Sequence, residues 1–218
     1  MRILALSVYL LITVFSWGQT ENKFARVLTY ATTLEIVNDD LPAYAKDYLN
    51  QKYGDSLHVV YDTLGNIRMN YFRSGKNGIA YYFYNATNHT MYARWKGIDT
   101  LYYYDASVND YTLDSMKTSK TIDGSKIECY SHNPEVNGAA IQEFYFVEDS
   151  MYVNPDLYAD FKDFFFHSII SESRKLPVKT VIKSNDIIIR RVLTNSRIIA
   201  NPKKSLFEDN GKLPLKKY

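Results

Sequence analysis

The sequence predicts a mainly β (α+β) fold: a curled antiparallel sheet, or half-barrel, with one or two helices on its concave face. Three observations carry this. From Ser56 onward the apolar residues alternate with period two in short runs, and Gly, Asn and Asp clusters separate the runs. The chain holds 20 Tyr and 11 Phe against only 9 Gly. Tyr suits half-buried pleated surfaces, where the ring packs and the hydroxyl stays wet. Finally, two stretches switch to helical spacing.

The elements follow in order. Phe24 to Ile36 alternates loosely and is rich in Thr and Val, which reads as a first strand; a helix also fits Phe24, Val27, Leu28 and Ala31. Asp39, Asp40 and Pro42 look like a helix start. Leu41, Tyr44, Ala45, Tyr48 and Leu49 then share one helical face, and Gly54 ends the segment. Strands are expected at His58 to Tyr61, Ile67 to Tyr71, Ile79 to Tyr84, Thr90 to Trp95 and Thr100 to Tyr104, joined by turns of Gly, Asn and Asp. Thr112 to Ser119, Lys126 to Ser131 and Ala139 to Phe146 continue the meander, with Asp123-Gly124 and Asn137-Gly138 as turns. Asn154 can cap a second helix with Pro155 at its first position, and Leu157, Phe161, Phe164, Phe165 and Ile169 recur at helical spacing. Val178 to Lys183, Ile187 to Thr194 and Arg197 to Ala200 read as further strands, and the basic tail Lys212 to Tyr218 as frayed. About nine strands or more are too many for a flat open sheet, so the sheet should curl. The aromatic face of the second helix then belongs on the concave side.

The N-terminus predicts export. Arg2 precedes an apolar run from Ile3 to Phe15, the length of a signal-peptide core and too short to span a bilayer. Ser16 and Gly18 put small residues at the cleavage positions, so residues 1–18 read as a signal peptide and 19–218 as a single β-rich domain. No Cys opens the mature chain, which argues against a lipid anchor and for an exported protein, periplasmic or associated with the outer envelope, soluble after cleavage. Cys129 is the one cysteine, so the core is packed without an internal disulfide. The net charge is +2 with Lys and Arg dispersed, which excludes a dedicated nucleic-acid surface.

Several short motifs carry a family resemblance. Thr121-Ile122-Asp123-Gly124 leads into a strand holding Cys129, and an aromatic strand follows at Glu143-Phe144-Tyr145-Phe146. The aromatic helix, Leu176-Pro177-Val178-Lys179 and a late Ser205-Leu206-Phe207 complete the set. On these the chain resembles the LolA/LolB-like superfamily, in particular an uncharacterised exported branch from Gram-negative bacteria. The Cys comes two residues later after Gly124 than the pattern expects, a shift that keeps the same strand face. The resemblance implies a half-barrel of antiparallel strands covered by helices, with an apolar cavity between them. The well-studied members carry lipoprotein acyl chains.

Catalytic chemistry finds little footing. Cys129 and His132 are three apart, on opposite faces of a strand. There is no Gly-x-Ser-x-Gly elbow, and Cys129 reads as a small buried hydrophobe. His58, His89, His132 and His167 are isolated, without metal-ligand spacing. Glu143, Glu148, Asp99, Asp105, Asp110 and Asp114 are scattered, and turn capping accounts for them. Asn85 and Asn88 match the glycosylation pattern but read as hairpin chemistry. No catalytic residue, metal or cofactor is therefore assigned. Phe161, Phe164 and Phe165 are the candidate lining of an apolar pocket, if the half-barrel is not fully filled. The expected function is that of an exported, non-enzymatic envelope protein binding an apolar or amphipathic ligand, such as a lipid or lipoprotein-like group. The alternatives are a structural or interaction module with an envelope protein as partner, and a hydrolase built from the scattered carboxylates.

Overall fold

The computed structural model describes residues 24–108, 115–122, 125–132, 140–163, 166–203, 206–207 and 213–218. Twelve strands form one sheet in the order β12-β6-β5-β4-β3-β2-β1-β11-β10-β9-β8-β7. They are β1 (Phe24–Ile36), β2 (Ser56–Asp62), β3 (Ile67–Phe72), β4 (Ile79–Asn85), β5 (Thr90–Trp95), β6 (Leu101–Asp105), β7 (Ser115–Ile122), β8 (Ser125–His132), β9 (Ile141–Val147), β10 (Lys179–Lys183), β11 (Ile187–Ala200) and β12 (Leu215–Lys217). Every pairing is antiparallel except that of β12 with β6. The order closes on no partner, so the sheet is unclosed among the described residues.

The meander from β2 to β6 follows the sequence because its turn chemistry is local. Asp62 accepts hydrogen bonds from the backbone N–H groups of Leu64 and Asn66, both at 2.9 Å, and Gly65 takes a φ of +87° that favours glycine. Asn85 and Asn88 accept from the N–H groups of Thr87 and Thr90, at 2.9 and 3.2 Å, which is the expected hairpin chemistry. The turns at Asp123-Gly124 and Asn137-Gly138 lie outside the described residues.

Phe24–Ile36 is a strand along its whole length, so the helical alternative falls. Its partner β11 runs unbroken over Ile187–Ala200, where two separate strands were expected. The register shift between Thr29 and Tyr30 leaves Thr194 unmatched, and its hydroxyl donates to the Thr29 carbonyl at 3.0 Å. A bulge thus absorbs the break in pattern at Thr194 and Asn195.

Two expectations are corrected, and that of one or two covering helices narrows to one. The first helix, α1 (Ala43–Lys52), forms but buries no side chain: Tyr44 is 77% exposed. It does not cover the sheet. The second helix is not continuous. Asn154 does cap, accepting from the Asp156 N–H at 3.1 Å, but the turn is a short 3-10 helix (Pro155–Tyr158). The α-helix α2 starts only at Phe166 and ends at Ser173. The tail is not frayed: Leu215–Lys217 is a strand against β6. Its apolar lead-in explains this, since Leu206, Phe207 and Leu213 pack on Ala25, Val27, Val60, Tyr81, Phe83 and Leu101 on the convex face.

The main core lies on the other face. Leu28 and Tyr30 of β1, Leu57, Val59 and Tyr61 of β2, Ile67 and Tyr71 of β3, and Tyr84 of β4 pack under Tyr158, Phe161 and Ile170. The period-two burial on these strands is the one read from sequence. Among the described residues, no helix is long and apolar enough to cross a membrane.

Candidate functional site

The concave core is not filled. A cavity of about 270 Å³ lies between the sheet and α2. Its floor includes Tyr30, Val59, Met69 and Tyr82, and its far wall is Phe144, Thr180, Ile182 and Arg191. Phe166, Ile169 and Ile170 of α2 roof it, and Lys52, the last residue of α1, and the adjoining Tyr53 flank it. β4 and β9 both reach this one cavity, though six strand spacings separate them in the sheet order. A flat sheet would hold them about 29 Å apart. Their convergence is the curl of the sheet, and the cavity is what remains inside the curl.

The wall is mostly apolar. Burial pushes the Tyr30 and Tyr61 hydroxyls well above the ordinary tyrosine range and raises that of Tyr71, with Arg191 pulling the other way on Tyr30 and Tyr71. The Tyr30 hydroxyl donates to the Pro177 carbonyl at 2.8 Å, so this polar tip is satisfied inside the core.

Two cations border the cavity. Lys52 Nζ lies 5.1 Å from the centre of the Tyr53 ring, and the Arg191 guanidinium 5.7 Å from that of Tyr71. Glu143 also contributes to the wall. Strand alternation turns its carboxylate to the face opposite Phe144. There Lys183 pairs with it and the Tyr145 hydroxyl donates to it at 2.8 Å. Burial alone would raise the Glu143 carboxyl, but these two hydrogen bonds outweigh it and hold the group below its ordinary range.

The residues singled out in the sequence separate here. Phe161 is fully buried in the core, stacked on Tyr84 at 4.4 Å between ring centres and tilted against Phe166 at 5.1 Å. Phe164 and Phe165 lie outside the described residues. The aromatic that α2 itself turns to the cavity is Phe166. Burial and the nearby Glu143 carboxylate push the Cys129 thiol up, away from a reactive thiolate. No group of three or more His, Cys, Asp or Glu able to hold a metal occurs among the described residues. Sequence reasoning missed Arg191, Thr180 and the β1–β3 floor as cavity residues. Period two assigns them a face, but only the sheet order shows that β9–β11 close over β1–β4.

The sequence matches no protein-family model and no curated protein. Solved structures resemble the fold. PNGF-II superposes with a TM-score of 0.50 at 11% identity, over 89% of this chain and 32% of that one. The chain thus spans about a third of the length of PNGF-II, and the likeness is one of fold alone. The Mycobacterium tuberculosis lipoprotein LppX superposes with a TM-score of 0.32 at 9% identity, over 84% of this chain and 89% of that one. MucB matches with a TM-score of 0.32 at 9% identity, over 93% of this chain and 62% of that one. The last two superpositions are loose, and no residue role passes through them. The curled, unclosed antiparallel sheet with a helix against its concave face is the architecture that the LolA/LolB-like resemblance implied.

Proposed function

We propose that this is an exported, non-enzymatic envelope protein that binds an apolar or amphipathic, lipid-like ligand in the cavity beneath α2. The observation that carries the reading is the unfilled space itself. Protein interiors normally close-pack, and a void lined by Val59, Met69, Phe166 and Ile170 forgoes contacts that a small repacking could recover. The volume of about 270 Å³ lies just below the range of drug-sized ligand pockets, about 300 to 1,000 Å³. It suits one short or medium apolar chain and not a many-chained lipid. The Ile3 to Phe15 signal core supports the envelope address.

A hydrolytic role for the cavity has less support. Glu143 is the one carboxylate at its wall among the described residues, and it is turned away and held by Lys183. Paired carboxyls for glycoside hydrolysis sit about 5–9.5 Å apart across the substrate.

The test is titration of the mature protein with the lipid-like dye N-phenyl-1-naphthylamine. A saturable, blue-shifted signal with one site per chain is expected, displaced by medium-chain amphiphiles. Folded protein that takes up neither dye nor amphiphile overturns the reading.

A further inference from the structure

The cavity is apolar along its length but not at its β10–β11 wall. Arg191 stands there between Thr32 on β1 and Thr180 on β10, its direct cross-strand neighbours on either side. All three present a buried polar atom with no hydrogen-bond partner: Thr32 Oγ1, Arg191 Nε and Thr180 Oγ1. Thr32 is 8% exposed. Three such atoms in one row across three adjacent strands are unusual, because buried polar groups are nearly always paired.

The charge is as exposed to question as the hydrogen bonds. No carboxylate lies within ion-pair distance of Arg191 among the described residues; its neighbours are the Tyr71 ring and the Tyr30 and Tyr71 phenols. Lys52, at the cavity's flank, likewise faces the Tyr48 and Tyr53 rings. Glu143 is committed to Lys183 on the opposite face. Among the described residues, the cavity therefore carries two cations and no facing anion. An arginine kept at an apolar wall without a counter-charge costs stability, which an incoming anion would offset. Its planar fork of donors suits an oxyanion with two oxygens.

Resting on the reading of the cavity as an apolar-ligand site, we propose that its ligand is a single-chain amphiphile with an oxyanion head. The head is held by Arg191 and Thr180, and the chain runs beneath Phe166, Ile169 and Ile170. Carboxylate and phosphate heads share this chemistry, and the experiment separates them.

Binding of decanoate, decyl phosphate and decanol to the mature protein is measured by calorimetry. The expected result is that at least one anion binds about tenfold or more tighter than decanol, the scale of a charge-assisted hydrogen bond. The preferred anion identifies the head. Arg191→Met should abolish that anion's preference over decanol, with circular dichroism reporting that the variant is folded. Thr180→Val should reduce the preference in part. Should Arg191→Met fail to fold, the wild-type comparison decides alone. Decanol binding as tightly as both anions, or a preference that survives Arg191→Met, overturns the oxyanion assignment while leaving the apolar site standing. Failure of all three ligands removes the apolar site and this proposal together.

Discussion

Tyr30 is the residue in which the sheet's two halves meet. It lies on β1 and its hydroxyl donates to the Pro177 carbonyl, 147 positions away, just before β10. Tyr30→Phe keeps the ring and leaves that buried carbonyl unpaired, which costs about 1–2 kcal/mol. Urea unfolding should show a lower midpoint at unchanged slope. Glu143 makes a pH-dependent contribution. Its carboxyl is held below the ordinary value of 4.5, so folding favours the charged form. The stabilisation is complete above the unfolded value and is lost as pH falls through the lower folded one. Glu143→Gln should therefore lose about 1 kcal/mol at neutral pH, a modest figure because Lys183 is partly in water. The gap to wild type should narrow as pH falls below the ordinary carboxylate value and through the lower folded one; a gap that does not change with pH sinks the ion-pair account. Both residues were visible in the sequence as lying on expected strands, Glu143 with turn capping as its expected role. Their partners were not, because a partner 40 or 147 positions away is fixed only by strand order.

At the scale of elements, legibility followed the range of the forces involved. The β2–β6 hairpins were readable because Asp62, Gly65, Asn85 and Asn88 act within a few residues. The second helix was misjudged because Leu157, Phe161 and Ile169 do share a helical period, yet Leu157 stays 36% exposed while Tyr158 is buried. Stacking of Phe161 on Tyr84 outweighed the local preference for a continuous helix. The tail was misjudged for a related reason. Its charges suggested fraying, but Phe207 packs beside Phe83, 6.5 Å between ring centres, and delivers Leu215–Lys217 to the edge of β6. This strap covers an aromatic edge that would otherwise be open. Tyr218 adds edge-on contact with Tyr102 at 6.0 Å. Truncation after Pro214 should expose the β6 backbone to pairing with another copy. Sedimentation at rising concentration should then show self-association that the full chain lacks; identical profiles would mean that the strap does not guard the edge.

For the whole molecule, the curl of the sheet was predictable from strand number, and the helix on the concave side from its aromatic face. The void between them was implied by the family resemblance alone, and its size and lining were not legible, because they depend on how six strand spacings bend. If that void is there to be occupied, filling it should separate binding from stability. Val59 belongs to the floor on β2, 4% exposed, with its side chain on the cavity face. In a packed core Val59→Phe would force neighbours apart and cost about 1–3 kcal/mol. Here the added ring would enter existing space and bury more apolar surface against Phe166 and Ile170. The expected outcome is a melting temperature equal to or above that of wild type, together with loss of dye and amphiphile uptake. Ile170→Ala supplies the opposite sign: it widens the same space and should destabilise by about 2–5 kcal/mol. In a natural binding cavity the filled variant thus gains or keeps stability as it loses ligand. If Val59→Phe instead unfolds the protein as a packed-core substitution would, the space is too small or too rigid to hold a chain. If it folds and still takes up the dye, uptake occurs elsewhere on the molecule.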